Sequence, residues 1–311
     1  MVLQVGAFLF DPERGGSTAK LTSLTTAAAQ DIFGRYDLVA SVELGGLPHL
    51  LMYERRSGAA QFYVAGLTAP FFTLAGNENL GVGWDAIESF VLANQPYVMC
   101  YQRENGRFEF RAIDQKLTLS DALEFHRSHE PGPTAGFTMI RPFVSMNQVA
   151  FMGYNSATGA VAMYTVAATV AAPPTKPPLQ PLCVWSHTWA KNWTRFVFFA
   201  MGGANFFLKT NTGGTGNVNI DRIMDGLAAG TLEVSAHMEL HEALDQTLNA
   251  ALILDDGSPY FVNCKADGSG VIYRIHTDCQ GWDKILDVEG PNMPEHLLTL
   301  RFGTRHLVLF C

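Results

Sequence analysis

Residues 192–223, NWTRFVFFAMGGANFFLKTNTGGTGNVNIDRI, hold the plan of the chain. An apolar run from Trp193-Thr194 to Phe199 breaks at Gly202-Gly203, resumes over 205–209, breaks again at the glycine-rich 213–216 and returns over 217–223. Short runs of aromatic and β-branched residues, each ended by a glycine turn, predict antiparallel strands joined by tight hairpins.

The same order of features recurs. It is found in 34–63 (GRYDLVASVELGGLPHLLMYERRSGAAQFY), 83–113 (GWDAIESFVLANQPYVMCYQRENGRFEFRAI) and 136–166 (GFTMIRPFVSMNQVAFMGYNSATGAVAMYTV). Each reads aromatic, strand, turn, strand ending in Tyr, polar turn with Gly, strand. Tyr53, Tyr101, Tyr154, Lys209 and Cys264 anchor the second strands and lie 48, 53, 55 and 55 residues apart. Three or four short strands repeating about every 50 residues predict an all-β β-propeller.

The termini complete the count. Residues 8–11 and 18–24 resemble the latter half of a unit, and 297–302 with 306–311 the first half of one. Pairing of the N- and C-terminal strands would close the ring and remove two open sheet edges. Five internal units and one shared unit make six blades. Phe10 and Phe310 both resemble second-strand anchors, which would make seven; 311 residues at about 50 per unit favour six.

Because the repeat spans nearly the whole chain, residues 1–311 read as a single propeller domain. The largest composition break is 171–181, AAPPTKPPLQP, with five prolines. It must be extended. Between a linker separating two domains and a long inter-blade loop, the loop is favoured, since the repeat resumes in phase beyond it. Residues 25–33 and part of 236–250 carry weak helical patterns, and 117–130 fits a helix start or an outer strand equally.

A net charge of −8 with 21 scattered basic residues argues against a nucleic-acid partner, which needs clustered cations. No apolar run has the roughly 18–20 residues of a membrane span. No basic n-region precedes the apolar start, so no signal peptide is expected, and the five cysteines, odd in number and without Cys-x-x-Cys spacing, suit a reduced cytoplasmic setting.

GGLPHLLMYERRSGAAQF, with Gly-Trp-Asp at 83–85 and Asn-Trp-Thr at 192–194, resembles the repeats of tachylectin-2-like and related bacterial and fungal β-propeller lectins. The resemblance covers nearly the whole chain as a pattern. It implies carbohydrate binding between blades or on one face, usually without a metal. The chain departs from that pattern in its opening aromatics (Tyr36, Trp84, Phe137, Trp193, Trp282) and in its first turns, so several equivalent sugar sites are not expected.

Trp185, Trp189 and Trp193 lie four residues apart around His187 and form the best candidate ligand site, because indole faces stack on the apolar faces of sugars. The ordinary alternative is that Trp193 packs between blades and the others cover a loop. Glu124, His126 and His129 in one stretch, and His237, Glu239 and His241 in another, are the candidate catalytic groups if the protein is an enzyme with one site at the propeller axis. The second set reads His-Met-Glu-Leu-His rather than His-Glu-x-x-His, so no metal site and no cofactor is expected. Thr212–Gly216 lacks the Lys-Ser/Thr ending of a phosphate loop, and the Asp-Gly pairs near 256 and 267 lack calcium-loop spacing; all read as turns. The leading expectation is a non-catalytic carbohydrate-binding propeller whose partner is a glycan or other small molecule. The rivals are the axial enzyme and a protein-interaction platform.

Overall fold

The computed structural model describes residues 6–12, 20–24, 36–68, 70–125, 134–145, 148–165, 182–211, 218–223, 234–240, 248–253, 258–264, 268–279, 281–289 and 297–310. Every regular element among them is a strand. The strands form six four-stranded antiparallel sheets.

The chain enters through β1 (Gly6–Asp11) and β2 (Lys20–Leu24). Blade I is β3 (Leu38–Leu44), β4 (Leu47–Tyr53), β5 (Ala59–Ala65) and β6 (Phe72–Asn79). Blade II is β7 (Ala86–Leu92), β8 (Gln95–Gln102), β9 (Arg107–Ala112) and β10 (Leu123–Phe125). Blade III is β11 (Met139–Ser145), β12 (Gln148–Tyr154), β13 (Ala160–Thr165) and β14 (Leu182–Thr188). Blade IV is β15 (Arg195–Met201), β16 (Ala204–Thr210), β17 (Val218–Ile223) and β18 (Val234–Leu240). Blade V is β19 (Leu248–Ile253), β20 (Pro259–Cys264), β21 (Ser269–Ile275) and β22 (Trp282–Glu289). Blade VI joins β23 (Leu297–Phe302) and β24 (Arg305–Phe310) to β1 and β2, in the order β2-β1-β24-β23.

The first strands β3, β7, β11, β15, β19 and β23 each pack against the first strands of the two neighbouring blades, so they surround the axis. The chain is a six-bladed β-propeller closed by its own ends. Phe10 and Phe310 belong to one sheet, Phe10 on the third strand and Phe310 on the second, which removes the basis for a seventh blade. Second strands are the most buried elements, as β4, β8, β16 and β20 show, because they have a blade on both faces. Their apolar runs are therefore continuous rather than alternating.

Two-residue hairpins join the first strand to the second in blades I, II and IV. Their central residues need positive φ, supplied by Gly45-Gly46, by Gly202-Gly203 and, without glycine, by Ala93 (φ 48) and Asn94 (φ 63). The strand pair that follows carries a recurrent irregularity. The register between third and fourth strands shifts at Phe62/Tyr63, Met163/Tyr164, Ile220/Asp221 and Ile272/Tyr273, equivalent places in blades I, III, IV and V. A bulge there adds twist and re-aims the outer strand.

A tyrosine stitches each of three blades to the next. The Tyr53 hydroxyl donates to the Gly81 carbonyl at 2.9 Å and accepts the Trp84 N–H at 3.2 Å. Tyr101 does the same with Thr134 (2.8 Å) and Phe137 (3.0 Å), and Tyr154 with Ala190 (2.7 Å) and Trp193 (3.3 Å). This is why Tyr recurs at the end of the second strand. In blade IV the equivalent residue is Thr210, whose carbonyl accepts the Thr194 N–H as those of Tyr53, Tyr101 and Tyr154 accept Asp37, Asp85 and Thr138. The anchor expected at Lys209 is thus one residue early, and one residue is enough to put a side chain on the other face of the sheet.

Other expectations need adjusting. Trp282 opens no blade; it begins β22, the fourth strand of blade V, and packs edge-on to Phe261 at 5.4 Å. Within 236–250 the described residues belong to β18 and β19, and 117–130 contains the short strand β10. Pairing with β17, β20 and β9 overrides weak local helix preference. Residues 25–33, 171–181, 212–216 and 254–257 lie outside the described set. The strands flanking 171–181, β13 and β14, are paired neighbours, so the connection made by the proline-rich segment lies within blade III.

Candidate functional site

The outermost strand of blade III, β14, reads Leu-Cys-Val-Trp-Ser-His-Thr and is mostly exposed. Trp185 sits opposite Met163, and His187 opposite Val161, two places apart and hence on one face of the sheet. Val161 and Met163 belong to the apolar cluster between blades III and IV, against which Trp185 is partly buried. The Trp185 and His187 rings are 5.9 Å apart, and the Trp185 and Trp189 rings 6.0 Å. His187 is exposed and Trp185 half-buried, so the pair forms an aromatic shelf at the outer rim of the junction.

Trp189 is the inward continuation of that shelf. Its N–H bonds to the Gly159 carbonyl at 2.9 Å, and its own carbonyl would lie 2.2 Å from any Cβ at Gly159, where φ is +81°. A side chain at 159 would therefore both strain the backbone and collide with the incoming chain. The Trp189 ring stacks on Phe207 at 5.7 Å and meets Phe196 edge-on at 6.0 Å. Lys209 lies 4.2 Å above the Trp189 centroid and 4.9 Å from that of Trp193, and its ammonium pairs with Asp221 at 2.8 Å. Lys209 and Asp221 keep only 7% and 1% of their side-chain surface. A desolvated cation over indole is worth about 2 kcal/mol, and here one cation fixes two indoles. Trp193 is buried, as the bland alternative expected, and its Nε1 has no acceptor among the described residues, whereas Trp84 at the equivalent place donates to the Leu80 carbonyl at 2.7 Å.

The four residues singled out from sequence are thus brought together, in three tiers: Trp185 and His187 at the rim, Trp189 beneath, Trp193 inside. Lys209 and Asp221 were missed as its support. Their signal was a lysine in an otherwise apolar second strand and an aspartate two places from its cross-strand partner.

The place of Trp185 can be followed around the ring by register. It is held by Gly76 in blade I, Leu123 in II, Met238 in IV, Leu286 in V and Leu24 in VI. The aromatic shelf occurs once.

Of the candidate catalytic groups, Glu124 lies on β10, and His237 and Glu239 on β18, the fourth strands of blades II and IV. Their backbone is at the periphery of two different blades rather than on the strands around the axis. His126, His129 and His241 lie outside the described residues. Among the described residues no three His, Cys, Asp or Glu converge as a metal site would require.

Sequence alone also passed over the axis. Glu88 and Arg141, each the third residue of its first strand, form an ion pair between blades II and III, with 26% of each side chain exposed. Burial, and then the charge of Arg195 on the next first strand, hold the Arg141 guanidinium down at about 10, still cationic at neutral pH. Burial lowers Arg195 too.

No family model and none of the curated proteins matches the chain. Solved structures do. The SapL1 lectin in complex with α-methyl fucoside aligns with a TM-score of 0.57 at 8% identity, over 89% of this chain and 90% of that one. A provisionally assigned 6-phosphogluconolactonase from Bacteroides fragilis aligns at 0.52 and 10%, over 95% and 86%, and one from Bacteroides uniformis at 0.52 and 13%, over 95% and 88%. At such identities the likeness is one of fold.

Proposed function

We propose that this propeller is a non-catalytic carbohydrate-binding protein with one principal site, at the rim between blades III and IV. The observation that carries the reading is the shelf of Trp185 and His187, backed by a Trp189 that Phe207, Phe196 and Lys209 immobilise. A rigid exposed indole offers a stacking face for a pyranose at little entropic cost, and the adjacent imidazole offers a hydrogen bond to a hydroxyl. A lectin among the structural neighbours supports the same reading. Because the five equivalent places hold Gly, Leu or Met, the expected stoichiometry is one glycan per chain. The test is a glycan array followed by calorimetry on the strongest hit. Trp185→Ala should weaken binding tenfold or more, about 1.4 kcal/mol, with unchanged thermal stability. Five or six sites per chain, or full binding by Trp185→Ala, would defeat the assignment.

A further inference from the structure

The centre of the ring holds a charge arrangement that packing does not account for. Arg141 on β11 and Arg195 on β15 lie on adjoining first strands, and each raises the cost of the other's charge. Arg141 has Glu88 as its ion-pair partner. Arg195, half-buried, has no carboxylate partner among the described residues. Two guanidinium groups therefore share one carboxylate, an excess of one positive charge in a chain of net charge −8. Enclosed cations are normally neutralised by a partner, because leaving one unpaired costs several kcal/mol, of order 3–5. Next to them the rings of Phe143 and Phe198 stack at 5.2 Å across the same junction, giving the polar pair an apolar neighbour. A guanidinium offers a planar fork of donors that matches two oxygens of a carboxylate or phosphate.

We propose that the axial region beside β7, β11 and β15 binds a small organic anion through its carboxylate or phosphate group, with Arg195 as the principal donor and Arg141, kept oriented by Glu88, as the second. The bound anion would supply the negative charge that Arg195 lacks. This site is separate from the rim shelf, and it is absent from other parts of the ring: the third residue of the first strand is Ala40 in blade I, Val197 in IV and Leu298 in VI.

The test uses the full chain, with inorganic phosphate and gluconate as separate probes and sodium chloride at matched ionic strength as the reference. One or both probes should raise the melting temperature saturably beyond chloride; which one does so decides between phosphate and carboxylate. Arg195→Gln should weaken that stabilisation at least tenfold in apparent Kd, and its ligand-free melting temperature should equal or exceed that of the parent, since an uncompensated charge has been removed. Arg195→Lys, which keeps the charge but loses the fork, should fold and also bind more weakly. Trp185→Ala should leave the anion effect intact, so failure here and failure of the glycan assignment are read separately. No saturable effect from either probe, undiminished binding by both Arg195 variants, or a lower ligand-free melting temperature for Arg195→Gln would overturn the proposal.

Discussion

At the junctions between blades I and II, II and III, and III and IV, a phenol accepts the N–H of the residue that opens the next blade and donates to a carbonyl just before it. At the other three junctions the equivalent residues are Thr210, Cys264 and Cys311, too short to make that reach. Contact there is mainly apolar. Phe10 meets Tyr260 edge-on at 5.4 Å between blades V and VI, and Leu300, Leu307 and Leu309 pack on Leu50 and Met52 between VI and I. One half of the ring is held by directional bonds that fix how each blade sits on the next; the other relies on burial, which is non-directional. The half with looser specification is also where the ends meet, and the β1–β24 ladder supplies there the register that tyrosines supply elsewhere.

The most severe way to break the contrast is to remove residues 297–311. Without β23 and β24, β1 and β2 have no sheet, and blades I and V lose their common neighbour. The cooperative thermal transition should vanish. A soluble truncation with a sharp melt would show that the ladder is dispensable.

Next comes the best-fastened junction. Lys209→Met should cost about 3–5 kcal/mol, because it leaves the buried Asp221 carboxylate without its cation, whereas the double change with Asp221→Leu should recover most of that loss. Urea denaturation of the three variants measures both. Equal losses in the single and double variants would make packing on Trp189 and Trp193, not charge, the role of Lys209.

Tyr101→Phe should be smaller, about 1–3 kcal/mol, the cost of a stranded Phe137 N–H and Thr134 carbonyl. Native-state hydrogen exchange on the parent gives the matching comparison. Amides of β20 and β24 should open at lower free energy than those of β8 and β12. Uniform protection around the ring would erase the distinction between halves.

The smallest effect is in alkali. Burial raises the phenol pKa of Tyr53, Tyr101 and Tyr154 above 10.0, with the bond donated by the next blade's N–H acting in the opposite sense. Once pH passes the unfolded value near 10, the unfolded chain releases these protons while the native chain keeps them, so stability falls with rising pH. The contribution is fully present below pH 10. Tyr101→Phe should show a shallower decline of the urea midpoint between pH 9 and 11.5 than the parent, and an equal slope would take Tyr101 out of the account.

The repeat, the blade count and the closure were legible because they rest on features that sequence writes locally: glycine or Ala-Asn turns, apolar runs and a tyrosine at constant spacing. The rim cluster was legible because its aromatic residues are close in the chain. What escaped depended on which face or which neighbour a residue meets. Lys209 looked like a second-strand anchor because it ends an apolar run, yet it lies one place short of Thr210 and turns toward Trp189. Glu88 and Arg141 are 53 residues apart and meet only because their strands hold the same rank in adjoining blades. Trp282 matched an opening aromatic by composition, but the strand it starts is the outermost of blade V.

The bulge repeated between third and fourth strands has a consequence for how copies of the molecule keep apart. Each blade ends in an outer strand with one row of backbone donors and acceptors facing outward, a template on which another chain could assemble. On β14 the hazard is compounded by Leu182, 64% exposed, and by the indole of Trp185. The extra residue that shifts the register at Met163/Tyr164 twists that margin away from a flat edge. Deleting Val184 to regularise the pairing would straighten β14, and a propeller with a straightened outer edge should associate into stacked, sheet-extended oligomers at concentrations where the parent stays dispersed.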